Sequence, residues 1–149
     1  MNLFLLSLLV HITGLTLAAG TTVIGFVVNL RFWKLYSTDK GNALTLLKLS
    51  DRFSRVIGIG IALLLLSGLY MIYLTEGVFA GQLWLRIKLV LVLVVIVNSF
   101  VAKALEKRIK AILDAHGSVG RLQRKVNAFY MVQLFLFLII FVLGVFKSI

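Results

Sequence analysis

Little in this 149-residue chain can do chemistry. His11 lies inside an apolar run, Leu3 to Leu30, that carries no Asp, Glu, Lys or Arg. The second histidine, His116, sits among charged residues, where a solvated imidazole is expected. Arg86 and Lys88 open a later apolar run. They are two residues apart, about 200° around a helix axis, and cannot share a face. One is expected to snorkel to the headgroups and the other to point into the bundle or a wet crevice. There is no cysteine, which removes disulfides, thiolate metal sites and thiol chemistry. The sequence has no nucleotide-binding glycine loop, serine triad, carboxylate cluster or carboxylate within a span. What remains is one neutral imidazole, one or two amines or guanidiniums, and some hydroxyls and amides. That set suits a porphyrin, because imidazole ligates haem iron and cations pair with the propionates. One buried histidine, three methionines and no cysteine give a copper pathway weak support.

A histidine in lipid is costly and as a rule functional. The plainer alternative, a packing histidine bonded to a neighbouring helix, stays open. Met71 reads as packing.

Composition defines the elements that must hold these groups. Hydrophobic residues make up 61% of the chain and the mean hydropathy is +1.08, whereas soluble domains are about half apolar. Apolar runs of eighteen or more residues mark membrane spans. Four are expected, at about 3–30, 56–74, 84–102 and 127–146. The fold class is thus all-α, an integral membrane four-helix bundle in one domain covering 1–149. No proline is present to kink a helix. No Lys or Arg precedes the first run, which continues ten residues past Gly20, so it reads as a retained helix rather than a signal peptide.

Helical spacing puts His11, Gly14, Ala18, Thr22, Gly25 and Asn29 on one small, polar face of the first helix. Gly60, Leu64, Ser67 and Met71, with Gly68 adjacent, form a similar face on the second. Lys88, Leu91, Val95, Asn98 and Ala102 share a face of the third, and Tyr130 and Gln133 are the polar members of the fourth. Such stripes pack against helices or ligands while large apolar faces meet lipid. Thr22 and Asn98 therefore join His11, Lys88 and Arg86 as candidate cofactor contacts.

The net charge of +11 lies mostly in two expected connections, 31–55 and 103–128, in which 43–53 is expected to form a short surface helix leading into the second span and 102–115 to continue as helix, broken by Gly117 and Gly120. In a membrane protein this bias sets topology and gives no reason to expect nucleic acid. Both loops are expected in the cytoplasm, with both termini outside, as in a bacterial inner membrane. His11 then lies roughly 12 Å and Lys88 roughly 6 Å into their helices, both in the outer half.

Several segments resemble a known family. Trp84-Leu85-Arg86-Ile87-Lys88-Leu89 is similar to the W-L-x-[VI]-K-L segment of HemJ-type membrane protoporphyrinogen oxidases, whose style the copper-resistance D-like membrane proteins share. His11 ahead of Ala19-Gly20, Arg52, Gly68, Arg124-Lys125-Val126-Asn127 and Lys147 follow the same order and spacing. The chain has Asn98-Ser99 where the family has a histidine, and Asn127-Ala128 where it has Asn-Glu. It also lacks the family's prolines in the second and fourth helices. The resemblance implies a membrane haem b protein with His11 and Lys88 as functional residues.

The expectation is haem b, or a related porphyrin, between helices one and three, with His11 on the iron, for electron transfer or porphyrin oxidation. Lys88 is either the opposite axial ligand or a propionate partner, with Arg86 pairing nearer the headgroups. The alternative is a non-enzymatic transport or assembly subunit, including a copper-resistance D-like role. Whether the chain is an enzyme stays open. The expected partners are the lipid bilayer and a porphyrin or haem; a homo-oligomer or membrane-complex partner is left open.

Overall fold

A computed structural model describes residues 2–78, 81–114 and 120–145. They form four helices, α1 (Leu3–Tyr36), α2 (Lys40–Leu74), α3 (Leu83–Asp114) and α4 (Gly120–Val145). Each is long and apolar enough to cross a membrane. The fold is an all-α four-helix bundle and the protein is integral to a membrane. Its outward faces agree: Leu66 is 67% exposed, Phe100 67% and Phe135 62%. Apolar exposure on this scale needs lipid to cover it.

Close backbone approach is made by α1 against α2, α3 against α4 and α1 against α4. The tightest seam joins α1 to α2, where Gly14 and Ala18 meet Gly60 and Leu64. A Cβ built on Gly60 would stand 2.7 Å from the Ala18 nitrogen and 2.8 Å from the Gly14 carbonyl oxygen. Only hydrogen fits there, so the small faces read from the sequence are the contact surface itself. All four helices meet in a central cluster that includes Ala18, Ile61, Leu64, Val95, Leu136 and Ile140.

The helices outrun the membrane at one end. At 1.5 Å per residue, the 35 residues of α2 extend roughly 52 Å, against a hydrocarbon core of about 30 Å. The excess is the basic end. Segments 31–55 and 103–128, expected as charged connections with helix over 43–53 and 102–115, are helical over most of their described residues, and they have a core of their own. Phe32, Trp33, Ala43, Leu47, Ile109, Leu122 and Val126 are buried together there. The cause is amphipathic spacing. Lys48, Arg52, Arg55, Lys107 and Arg124 are exposed, while apolar residues between them turn inward. Only residues 37–39 separate α1 from α2. Asp39 caps α2, accepting from the Asn42 backbone nitrogen at 3.1 Å and from its Nδ2 at 2.6 Å. These donors, the backbone one foremost, hold the Asp39 carboxyl below its ordinary 3.8. Helix α4 starts at Gly120 rather than at 127. His116 and Lys147 lie outside the described residues.

Polar side chains also tie the basic end together. Asn29 Nδ2 donates to Asn127 Oδ1 at 2.7 Å, and Trp33 Nε1 donates to Asn29 Oδ1 at 2.9 Å. Ser50 and Ser54 donate to Glu106 Oε1 at 3.0 and 3.3 Å, which links α2 to α3.

Candidate functional site

At the opposite end, where α1 begins and α4 closes, the four helices stand apart around a cavity of about 350 Å³. His11 and Lys88 both line it. The remaining wall is apolar, with Leu8, Leu65, Leu69, Leu89 and Val92 among its members, and Trp84 and Met71 also face it. Size and lining match ligand pockets in general, which run from about 300 to 1,000 Å³ with mostly apolar walls and a few polar groups.

His11 is fixed by α2. Its Nδ1 lies 3.0 Å from Ser67 Oγ. The Ser67 hydroxyl donates back to the Leu63 carbonyl, so its oxygen accepts and the hydrogen belongs to His11 Nδ1. The Ser67 carbonyl in turn accepts from Ser7 Oγ at 3.0 Å, which fastens the same turn to α1. A neutral imidazole with hydrogen on Nδ1 keeps a lone pair on Nε2. This is the usual arrangement of a metal-ligating histidine, whose second nitrogen donates to a protein oxygen. Gly68 leaves room for the ring, since a Cβ there would meet His11 Cε1 at 3.3 Å.

Lys88 is the inward-pointing member of the cationic pair. It is half-buried, and its Nζ is 3.9 Å from where a Cβ on Gly144 would stand. Its charge acts electrostatically on the His11 ring across the cavity. Arg86 is exposed and is not part of the cavity wall.

The other two candidates stand apart from His11. Thr22 is buried and donates to the Ala18 carbonyl at 2.7 Å. Asn98 Nδ2 donates to Gln133 Oε1 at 2.6 Å. Thr22 and Gln133 line a different cavity, nearer the basic end. Helical spacing put them on the correct faces but could not tell at which depth each face opens. The sequence reading also missed Ser67 as the partner that orients His11, and Met71 as a thioether on the same wall. The small-residue stripe of α2 carried both, and only the α1–α2 register brings them to His11.

Among the described residues, no three His, Cys, Asp or Glu side chains gather in one place. A metal here needs a carrier that supplies its remaining ligands, and a porphyrin supplies four nitrogens. The residues present fit one: a lone pair for the iron, apolar walls for the ring, and a cation for a propionate. Comparisons with protein-family models, curated proteins and solved structures return no match.

Proposed function

We propose that this protein binds haem b, or a related porphyrin, in the cavity between α1 and α3, for electron transfer or porphyrin oxidation. The observation that carries the reading is His11, held by Ser67 through Nδ1 so that Nε2 keeps its lone pair on an apolar cavity wall. His11 would take the iron, and Lys88 would either pair with a propionate or supply a second ligand. Met71, which also lines the cavity, carries a thioether that would be a further candidate ligand for iron. Bound haem would supply one-electron chemistry. The protein would orient the ring and exclude water with the leucines around it. The resemblance of the Trp84–Leu89 segment and of His11 to the HemJ-type family supports the same assignment.

The charge bias supports an orientation in a bacterial inner membrane. The basic helix ends face the cytoplasm, and the His11 end faces the other side.

Absorption spectroscopy tests the binding. Protein purified in a gentle detergent should show a Soret band, and His11→Ala should abolish or strongly disturb it. A wild-type Soret band in His11→Ala at normal yield would refute the site. A second reading, favoured by the His11–Ser67 hydrogen bond, makes His11 a packing residue of a non-enzymatic membrane subunit. It predicts no Soret band and a loss of stability in both His11→Ala and Ser67→Ala.

A further inference from the structure

The second cavity, nearer the basic end, encloses about 200 Å³ in the gap between α2 and α3. Its two ends differ in character. Toward the bundle centre the walls are Ile57 and Ile61 of α2 and Ile96 of α3, with the buried Thr22 and Gln133 behind them. Toward the basic end they are Ser54, Lys103, Glu106 and Tyr130. Phe100 on the rim is 67% exposed, and a Cβ on Gly58 would meet nothing within 4 Å, so the space is a groove open to the lipid-facing surface. Lys103 is the first charged residue of α3 after Lys88, and Arg55 is the last of α2 before Glu76. The polar end of the groove therefore sits at headgroup depth.

A groove of this kind fits an amphiphile, with its chain on the isoleucines and its head group at the charged end. The order of the charges narrows the head group. Lys103 and Glu106 are three residues apart on α3 and so share a face, with Glu106 roughly 4.5 Å farther from the bilayer centre. Ser50 and Ser54 donate to Glu106 Oε1 at 3.0 and 3.3 Å, which holds the carboxylate at the groove from the α2 side. A phospholipid head runs outward from glycerol to phosphate to its terminal group. Its phosphate thus comes level with Lys103 and its terminal group with Glu106. Beside a carboxylate, a primary ammonium is attracted and donates a charge-assisted hydrogen bond. A terminal glycerol brings no cation to pair with the carboxylate, and a quaternary ammonium has no N–H to donate.

We propose that this groove binds a phospholipid whose head group carries both a phosphate and a primary ammonium. Lys103 pairs with the phosphate and Glu106 accepts from the ammonium. One acyl chain enters between Gly58 and Phe100 and lies on the isoleucines. The site is independent of the porphyrin reading, since no residue lines both cavities.

The test is native mass spectrometry of the full-length protein, released from micelles holding equal amounts of phosphatidylethanolamine, phosphatidylglycerol and phosphatidylcholine with matched acyl chains. Phosphatidylethanolamine should be retained about fivefold over each of the other two, the size of one partly exposed ion pair. Glu106→Gln should erase that preference while all three lipids are still retained. Because Glu106→Gln also alters the bridge to Ser50 and Ser54, two variants at exposed positions accompany it. Lys103→Gln and Gly58→Phe should each lower retention of all three lipids about fivefold at an unchanged thermal midpoint. Phosphatidylglycerol or phosphatidylcholine retained as well as phosphatidylethanolamine in wild type would overturn the proposal, and so would a preference that survives Glu106→Gln. Undiminished retention in folded Lys103→Gln or Gly58→Phe, or no lipid retained by wild type, would count equally against it.

Discussion

Two glycines on α2, two residues apart, should respond in opposite ways to the same substitution. A Cβ on Gly60 would stand 2.7 Å from the Ala18 nitrogen, 2.8 Å from the Gly14 oxygen and 3.0 Å from the Ala18 Cβ. An ordinary heavy-atom contact is about 3.5 Å, so the new methyl is roughly 0.8 Å too close. Two of its three neighbours are backbone atoms of a helix and cannot rotate away. The helices must part instead, and packing is lost along the whole seam. Overpacking of this kind costs about 1–3 kcal/mol. A Cβ on Gly58 meets nothing within 4 Å. Gly58→Ala should therefore show only the helix-propensity gain of about 0.5–1 kcal/mol. That gain is common to both variants, so the difference between them isolates the clash. Gly60→Ala should be about 1–3 kcal/mol less stable than Gly58→Ala by reversible unfolding in mixed micelles. If the two unfold alike, the α1–α2 seam is not packed as described. Gly14→Ala, with a Cβ 2.9 Å from the Gly60 oxygen and the Leu64 nitrogen, should behave like Gly60→Ala. Combined with Gly60→Ala it should cost less than the sum of the two, because one separation relieves both contacts.

The remaining predictions address the site, the cap and the orientation. Lys88→Arg keeps the charge but cannot readily supply a neutral nitrogen ligand. It should leave the Soret spectrum nearly intact if Lys88 pairs with a propionate, and shift it to a five-coordinate or mixed-spin form if Lys88 is a ligand; Met71→Leu makes the matching test of the thioether. The folded-state pKa of Asp39 is lowered from 3.8, so its contribution to the α2 cap is present above that value and lost as pH falls through the lower folded one. The Asn42 amide resonance should titrate with a midpoint below 3.8, and Asp39→Ala should remove the titration. Reporters active only in the cytoplasm should work when inserted between α1 and α2 and fail when fused after Val145; the reverse pattern would invert the orientation.

Much of the fold was legible because lipid and packing leave different marks on a helix. The four spans follow from apolar runs, and the buried face of α1 follows from the spacing of Gly14, Ala18, Thr22, Gly25 and Asn29, all of which are buried. In the basic segments the spacing of Leu46, Leu47, Leu49 and Phe53 marked a helix, but its fusion with the second span and the burial of Ala43 and Leu47 in a separate core depend on contacts with other helices. For the candidate site, His11 and Lys88 share a cavity because a helix rise of 1.5 Å per residue is enough to compare depths. Thr22 and Asn98 fell elsewhere because face membership does not fix depth. Ser67 and Met71 depend on the register of α2 against α1, which is set by where two glycines touch.

That register also accounts for both cavities. The glycine contact draws α2 onto α1, while α3 makes its close approach to α4. Both cavities are lined by α2 and α3, and these two helices are not among the pairs in close backbone contact among the described residues. Large side chains must span the remaining gap, and they do so at the centre, where Ile61 and Leu64 reach Val95 and its neighbours. Toward the basic end the gap is bridged by polar contacts, Ser50 and Ser54 to Glu106. Between these bridges, and again beyond Leu64, large side chains of both helices line the space without closing it. The small residues of α2 face α1, and its larger side chains face the two spaces. In lipid, where helices gain little from burying apolar area against one another, an unfilled gap persists more easily than it would in a water-soluble core. His11 lines one of these spaces and Gln133 the other, on either side of the central cluster.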